Sequence, residues 1–433
     1  MKNRIIAFFM ASTAFWNYSS QTGWTWTELS NMPEKISNNT VVEGFIGGQP
    51  FVYSFGGIDS TKLYSGINLS SFRYDVVADL WTVLPDLPDT LGKIASGVSR
   101  VGNKLYIIGG YHVLANGNEV SSDRVHIFNL LTNTFESDGA NIPIPIDDHV
   151  QCVYKDSLIY VISGWSNSGN VANVQIYDPQ TNAWTIGTST PNDNFFKAFG
   201  ASGVIVGDTI FYNGGVKGGF NFAAVGYTRK GIIDTNDPTQ IDWTQISDNP
   251  GSPGYRMACS NYMDKVFWLG GGGVAYNYNG IAYSGGVGVE PLDRILQYNG
   301  SSQLWDEGVG TPFQVMDLRG IAKISDTEWI ICGGMESGQN VSNKTYQISY
   351  DPVIGSVNDS EWKSLNIFPN PAQEEIFSSS IKKGMFQITD LSGQLMQRGS
   401  FQNSIDVSWL RNGIYLLVIE DEGTLYRCKF EKK

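Results

Sequence analysis

The stretch Lys104–Gly110, KLYIIGG, sets the pattern that most of this 433-residue chain repeats. It is a short apolar run ending in two glycines, and an aromatic run, Val125–Asn129 (VHIFN), follows it, with a lone aromatic at Phe135. A regular period near fifty predicts a radial or stacked repeat, in which each repeat is one unit of supersecondary structure. The second glycines of the recurring phrases lie 51 to 63 residues apart, at Gly57, Gly110, Gly164, Gly215, Gly271 and Gly334.

Tyrosine and tryptophan complete the phrase, as in Tyr177-Asp178 followed by Trp184. A double glycine after an apolar strand, then Tyr-Asp, then Trp, resembles the kelch repeat of the galactose oxidase/kelch superfamily. The resemblance covers roughly residues 24–350 and implies a β-propeller with one four-stranded blade per repeat. We therefore expect an all-β fold, with a six-bladed kelch β-propeller over residues 21–352 that is closed by an N-terminal strand. Glycine allows the sharp bend near the crowded centre, and Tyr and Trp rings should fill the space between blades.

The composition agrees with an all-β repeat protein. Glycine is frequent (49 residues), aromatic residues make up 13% and charged residues only 16%. The net charge of −13 argues against nucleic acid and against an anionic membrane surface as partners. The spacing of the four cysteines does not suit zinc, and Cys152 and Cys259 fall in repeats too far apart for a disulfide, so we expect four buried free thiols.

The N-terminal region predicts two features, a secretory signal peptide and a strand that belongs to the last blade. Residues 1–20 have a positive start and an apolar stretch, which predicts a secretory signal peptide too short to remain as a transmembrane anchor. The stretch from Trp26 then matches the outer strand at Trp81, because each has Thr next and proline seven residues on. We expect Trp26 to lie in the strand that completes the last blade, paired with Thr345–Tyr350, which removes an exposed edge. The alternative is that Trp362, which has the same proline spacing, lies there instead.

The C-terminal part reads as a separate domain. Residues 353–365 are a polar linker, and residues 366–433 alternate apolar and polar residues between turns, which predicts a small antiparallel β-sandwich. The segments FPNP at Phe368, ITDLSGQLM at Ile388 and the basic end at Lys429 resemble the C-terminal sorting domain (type A) of type IX secretion in Bacteroidetes-type bacteria. The resemblance implies passage through the periplasm, contact with the secretion machinery, and a secreted or outer-membrane surface location.

No motif in the chain predicts a cofactor or a metal. Copper oxidases resembling galactose oxidase need two histidines, two tyrosines and a cysteine linked to a tyrosine. This chain has three histidines, which fall in different structural positions, and no cysteine beside a suitable tyrosine. His126 is expected to be structural. Nucleophilic triads and phosphate loops are also absent from the sequence.

One constellation predicts a binding site. In kelch binders the residue leading into each innermost strand lies at the mouth of the central channel, where an arginine in several members binds a carboxylate. Two arginines and a histidine sharing that ring predict a site for an acidic ligand, unless nearby Asp147, Asp148 and Asp317 pair with them internally. Counting fifteen residues back from each second glycine selects Val42, Ala95, His149, Gly200, Arg256 and Arg319.

Loops on the same face should extend this site. The residues just after the glycines include Tyr111, Trp165, Lys217 and Glu336, and two long glycine-rich loops carry further aromatic rings. Such loops on a rigid scaffold often hold function, and aromatic faces pack against sugar rings. We expect a non-catalytic module that binds a glycan or an anionic partner. The alternatives are a sugar mutarotase resembling sialic acid epimerases, with Glu336 or Asp317 as its acid-base group, and a protein-binding adhesin.

Overall fold

The structure is a computed structural model that describes residues 18–19, 23–219, 221–307, 311–350, 363–390, 395–421 and 424–433. These residues divide into two compact units, one formed mainly by residues 24–298 and 305–349 and one mainly by residues 350–433. Most of the expected signal peptide and linker, and Trp362, lie outside the described residues. No helix among the described residues is long and apolar enough to span a membrane.

The first unit is built from β-sheets that repeat one antiparallel four-strand order. Six such sheets occur among the described residues, numbered here one to six in chain order of their innermost strands. From inside outward, sheets one to three contain Thr40–Ile46, Gln49–Ile58, Ile67–Asp75 and Leu80–Leu84; Ile94–Val101, Lys104–Val113, Val125–Asn129 and Thr134–Phe135; and Val150–Tyr154, Leu158–Ile162, Val174–Asp178 and Ala183–Gly187.

Sheets four to six follow the same plan. Small additional hairpins project from the ends of several strands, such as Trp165–Ser166 with Gly169–Asn170 and Met335–Glu336 with Asn340–Val341. From inside outward, the three sheets contain Phe199–Val206, Thr209–Val216, Thr228–Ile233 and Ile241–Ile246; Ala258–Tyr262, Lys265–Leu269, Ile295–Asn299 and Leu304–Glu307; and Ala322–Ser325, Glu328–Cys332, Thr345–Tyr350 and Trp24–Leu29.

Sheet six joins both ends of the first unit. Trp24–Leu29 lies directly beside Thr345–Tyr350, as the tryptophan spacing predicted for Trp26. Trp24 and Trp26 are both buried, and Trp26 packs edge-on against Phe313 with ring centroids 4.9 Å apart. The N-terminal strand therefore closes the circle of sheets with backbone pairing and buried aromatic surface.

The repeated glycines connect each sheet to the next. The backbone N–H of the second glycine donates to a carbonyl just before the innermost strand of the following sheet, as in Gly57 to Lys93 at 3.0 Å and Gly334 to Ile36 at 2.9 Å. The first glycine of the pair meets the same carbonyl: Gly56 has a φ of +58°, and a side chain there would come within 2.7 Å of the Lys93 carbonyl oxygen. The repeat needs glycine because the backbones of two sheets meet at this point. The remaining pairs are Gly110 with Ile146, Gly164 with Ala198, Gly215 with Gly254, and Gly271 with Val315.

The aromatic residues of the repeat fill the space between sheets, as expected. Tyr177 and Trp184 pack with ring centroids 5.0 Å apart, and the Trp184 indole donates to the Ala140 carbonyl at 2.7 Å. The equivalent Trp81 donates to Ser30 at 2.9 Å. The indole thus contributes both apolar area and a satisfied hydrogen bond to these two junctions.

The second unit has its own core. Its eight strands pair in one continuous order, antiparallel except for one parallel pair at the start. Buried residues such as Ile388, Leu417 and Phe430 form a single hydrophobic cluster within this unit. In order of pairing the strands are Lys363–Ser364, Thr424–Lys432, Gly413–Asp421, Lys383–Asp390, Leu395–Gln402, Ser404–Asp406, Glu375–Ser378 and Ile367–Phe368.

All four cysteines are free, as expected. Cys152 and Cys332 are buried, and burial raises the pKa of each thiol to about 12. Cys259 and Cys428 are half-buried rather than buried. The two fully buried thiols therefore act as small apolar core groups.

The closing strand gives a testable prediction. A chain that begins at Glu34 should aggregate, because it leaves Thr345–Tyr350 as an unpaired edge and removes two buried tryptophans, each worth about 3–5 kcal/mol on truncation. A chain that begins at Gly23 is the matched control and should stay monomeric. Light scattering and melting curves compare the two. Equal melting temperatures and equal monomer fractions would contradict the role of the strand.

Candidate functional site

A ring of hydrogen bonds closes the propeller axis where the chain enters the innermost strands. Its six residues, called the axial ring, all have φ between +47° and +67°. The Asp148 N–H donates to the Ala95 carbonyl at 3.0 Å, and the Asn38 N–H donates to the Asp317 carbonyl at 3.2 Å, so that neighbouring sheets are joined around the circle. The ring consists of Asn38, Ala95, Asp148, Gly200, Arg256 and Asp317.

This ring differs from the one counted in the sequence in three of its six positions. The count is correct for Ala95, Gly200 and Arg256, but Asn38, Asp148 and Asp317 stand where it selected Val42, His149 and Arg319. The hairpins behind the ring differ in length, and sheet six carries an irregularity between Lys323 and Ser325. At these three positions, counting fifteen residues back from the second glycine therefore selected a residue one to four positions after the one in the ring.

Arg256 lies inside the ring and is fully paired. Its guanidinium makes a bidentate contact with Asp148, with Nε–Oδ1 at 3.0 Å and Nη2–Oδ2 at 2.5 Å, and its Nη1 lies 2.8 Å from Asp317 Oδ1. The side chains of Arg256, Asp148 and Asp317 are 1%, 3% and 0% exposed. The internal pairing considered as the alternative in the sequence is therefore what the structure has at Arg256.

The pKa values of the two aspartates in this cluster are shifted in opposite directions. Burial acts to raise the pKa of Asp148, but the positive charges of Arg256 and Arg319 outweigh it and hold that pKa below its usual value. Burial raises the pKa of Asp317 despite the contact with Arg256. Ser37 Oγ and Asn38 Nδ2 also donate to the Asp317 carboxylate, at 2.6 and 3.0 Å. Buried carboxylates with this many donors hold the ring together.

The other two residues predicted for this site, Arg319 and His149, lie next to the ring and line a cavity. Arg319 Nη1 is 3.3 Å from Asp148 Oδ1, and Nη2 donates to the His149 carbonyl at 3.0 Å. His149 is 2% exposed, and burial lowers its pKa to about 4. The two residues line a cavity that the innermost strands surround. Arg256 therefore lies within the ring, whereas His149 and Arg319 line the neighbouring cavity.

The loops above the ring pack over it. Tyr255 and Tyr276 are both fully buried, and the Arg256 guanidinium lies 4.9 and 5.7 Å from their ring centroids. Tyr111 is 3% exposed and packs in a separate apolar cluster with Ile94 and neighbours. A ligand approaching from this side meets aromatic loops and no free arginine of the ring. This side of the propeller, which carries the axial ring and these loops, is called the loop face.

Trp165, one of the residues predicted to bind a ligand, lies in a cluster of aromatic side chains that is partly exposed to solvent. The hairpin between the second and third strands of sheet three meets the two long loops here, and Phe222 lies 5.8 Å from Trp165 and 5.1 Å from Tyr283, centroid to centroid. Tyr283 is 37% exposed, whereas Phe199 beneath the other rings is 4% exposed. The loop-face aromatic cluster consists of Trp165, Phe199, Phe222 and Tyr283.

Acidic residues flank this cluster. Asp147 exchanges two backbone hydrogen bonds of 2.9 Å with Trp165, and its carboxylate accepts from Ser121 Oγ at 2.5 Å. Burial, followed by the nearby Asp148 charge, raises the pKa of Asp147 well above its usual range. Glu119 begins the strand that ends at Ser121 and is exposed. The aromatic rings and the exposed Glu119 carboxylate, whose charge acts on Tyr283, therefore lie on the same part of the loop face.

The remaining predicted residues lie apart from the ring's charges. Lys217 is half-buried in the loop between the second and third strands of sheet four, where its N–H donates to the Ala223 carbonyl. Glu336 accepts a hydrogen bond from Ser342 Oγ at 2.7 Å. Asp317, the other acid-base candidate of the epimerase alternative, is 0% exposed within the ring. Neither carboxylate is thus placed beside an arginine that a substrate could reach.

The histidines outside the axis have structural partners. His126 is fully buried and its ring nitrogens lie 2.9 Å from Asp138 Oδ1 and 3.0 Å from Lys93 Nζ. Lys93 in turn lies 2.7 Å from Asp89, and His112 Nε2 is 3.8 Å from the same carboxylate. In the part of the chain that the structure describes, no group of three His, Cys, Asp or Glu side chains is arranged to hold a metal ion.

The comparisons with known proteins agree with the two units. The model of the KLHDC2/KLHL20/DRC7 Kelch-repeats domain matches residues 45–272, and that of the secretion system C-terminal sorting domain matches residues 366–433. The chain belongs to the kelch-repeat family and carries a sorting domain at its C-terminus. This sorting domain directs type IX export to the cell surface or to the outside.

Individual relatives support the family but not a shared activity. Kelch-like protein terF of Aspergillus terreus is 26% identical over 50% of this chain and 50% of its own length. Rab9 effector protein with kelch motifs of Homo sapiens is 28% identical over 42% of this chain and 48% of its own length. The chain thus spans about half the length of these curated relatives. The solved structure of YjhT is similar in fold, with a TM-score of 0.59, 17% identity, and coverage of 73% of this chain and 95% of that chain.

The buried ion cluster gives a second prediction. Arg256→Ala should destabilise the protein by about 3–5 kcal/mol, because it leaves the buried Asp148 and Asp317 carboxylates without their cation. Lys217→Ala on the same face is the control and should change stability by about 0.5 kcal/mol or less. Chemical denaturation of both variants measures the difference. An Arg256→Ala variant as stable as the wild-type protein would show that the cluster is not structural.

The sorting domain gives a third prediction. A chain that lacks residues 366–433 should keep a folded propeller, because the sorting domain has a hydrophobic core of its own. Without the sorting domain the truncated protein should remain in the periplasm. Cell fractionation of the producing bacterium and a melting curve of the purified propeller test both statements. Truncated protein in the culture medium would overturn the sorting role.

Proposed function

We propose that the propeller is a non-catalytic module that binds a glycan through the loop-face aromatic cluster. The observation that carries the proposal is the convergence of Trp165, Phe222 and Tyr283, from three different loops, into one cluster with partly exposed rings. Apolar C–H faces of a sugar ring pack on aromatic rings, and carboxylates such as Glu119 can accept hydrogen bonds from its hydroxyl groups.

The position of the cluster supports binding outside the cell. Loops held by a rigid scaffold are common binding sites, and the sheets that carry these loops are fixed to one another by the glycine and axial-ring hydrogen bonds. An exported protein meets glycans at the cell surface and in the medium. The pairing of Arg256 with Asp148 and Asp317 favours a neutral glycan over an acidic partner at this face.

A glycan array with the mature full-length protein tests the proposal. Trp165→Ala and Tyr283→Ala should each weaken binding of the best ligand by about tenfold, as expected for an aromatic side chain central to a binding surface. Tyr64, which is 44% exposed and outside the cluster, provides the control variant Tyr64→Ala. Calorimetric titration measures the affinities.

Two outcomes would contradict the proposal. Absence of any glycan hit, or equal affinity in the Trp165→Ala, Tyr283→Ala and Tyr64→Ala proteins, would move binding away from the cluster. NMR spectra of a bound reducing sugar give the second test, because faster anomer exchange would favour the epimerase alternative over a non-catalytic module.

A further inference from the structure

A cavity of about 350 Å³ lies on the propeller axis beneath the axial ring. The innermost strands of all six sheets line it. At one end Arg319 and His149 are almost completely buried, whereas at the other end the side chains of Glu43, Arg100 and Asp156 are 20%, 27% and 59% exposed. The cavity is therefore closed at the ring and opens on the opposite side, called the turn face, where short hairpin turns join the strands.

The closed end holds two polar atoms without partners. Arg319 Nε is buried and has no hydrogen-bond partner among the residues that the structure describes, although Nη1 and Nη2 contact Asp148 and the His149 carbonyl. His149 Nδ1 is also buried without a partner. A buried polar group that is left unpaired costs free energy, so a ligand that supplies the partner gains affinity.

The hydrogen bonds around His149 assign its tautomer. The Gln151 amide nitrogen donates to the Tyr106 carbonyl at 3.2 Å, so Gln151 Oε1 is the acceptor that faces His149 Nε2 at 3.0 Å. Nε2 therefore carries the proton. Since the ring is neutral at ordinary pH, Nδ1 is an acceptor. The closed end thus combines a charged donor, Arg319, with a neutral acceptor, His149.

The charges of the cavity favour an anion. Three cationic side chains line it, Arg100, Arg319 and Lys323, against the two carboxylates of Glu43 and Asp156. Lys323 Nζ lies 3.1 Å from the neutral Asn261 Oδ1, and Arg100 lies 3.9 Å from each carboxylate. Cationic side chains therefore outnumber carboxylates by one among the lining residues, and Arg319 also contacts the Asp148 carboxylate of the ring, which it shares with Arg256.

We propose that the axial cavity binds a small hydroxy acid, with its carboxylate at Arg319 and a hydroxyl group donating to His149. The cavity volume falls at the lower end of the range for ligand pockets, about 300–1,000 Å³, which suits a single sugar acid. The ligand enters from the turn face, where Arg100 and Lys323 stand near the opening. This site is separate from the loop-face aromatic cluster and does not depend on the glycan proposal.

Calorimetric titration of the mature full-length protein with glucuronate tests the proposal, with glucose and acetate as matched probes. Glucuronate should bind, glucose should not because it lacks the carboxylate, and acetate should bind more weakly because it lacks the hydroxyl group. Arg319→Gln should weaken glucuronate binding by about ten- to a hundredfold, the effect of one hydrogen bond to a charged group. Trp165→Ala should leave it unchanged.

NMR of His149 supplies a readout that does not depend on the Arg319 variant folding. A hydroxyl group that donates to Nδ1 changes the shielding of this otherwise unpartnered nitrogen, so glucuronate should shift the nitrogen resonance of His149 Nδ1. The chain has three histidines, and a His149→Gln protein assigns the resonance. The proposal is overturned if glucuronate gives no heat and no shift of the His149 resonance, or if glucose shifts that resonance as much as glucuronate does.

Discussion

The contact of Arg256 with Asp148 and Asp317 is the interaction on which the centre of the propeller depends. One guanidinium joins the entry points of sheets three, five and six, and Asp317 extends the contact to Ser37 and Asn38 before sheet one. Moving such charges out of water costs several kcal/mol for each ion, and only near-ideal geometry offsets that cost. Here the bidentate contact and the additional donors provide that geometry, so the ring can bury its charges.

Closing the axis at one end gives the two sides of the propeller different roles. On the loop face, tyrosines and long loops lie over the ring, and the polar groups of the ring are satisfied within the protein. On the turn face, the axis remains open as a polar cavity in which Arg319 Nε and His149 Nδ1 have no partners among the described residues. A surface of partly exposed rings and a narrow polar cavity suit different ligands, which is why the two binding proposals are independent.

The circle of sheets is closed by a different kind of contact at its circumference. There the strand Trp24–Leu29 supplies backbone hydrogen bonds and two buried indoles to sheet six, so the two ends of the repeat region belong to one sheet. Each sheet is also joined to the next by a hydrogen bond from a glycine N–H. The loops that form the aromatic cluster are therefore attached to sheets whose relative positions are fixed. The geometry of the proposed glycan site follows from that rigidity.

Much of this protein is determined by its sequence alone. The spacing of Gly57, Gly110 and their equivalents predicts the repeat, because only glycine permits the backbone contact between sheets, and the Trp-Thr-Pro spacing around Trp26 predicts the closing strand. Only the tertiary structure decided which side chains form the axial ring and which line the cavity beside it. His149 and Arg319 were expected in one ring with Arg256, but the ring register depends on hairpin lengths that a fixed count cannot follow. Whether a cation faces a ligand or a neighbouring aspartate depends on side chains more than a hundred residues apart, such as Asp148 and Arg256, which only folding brings together.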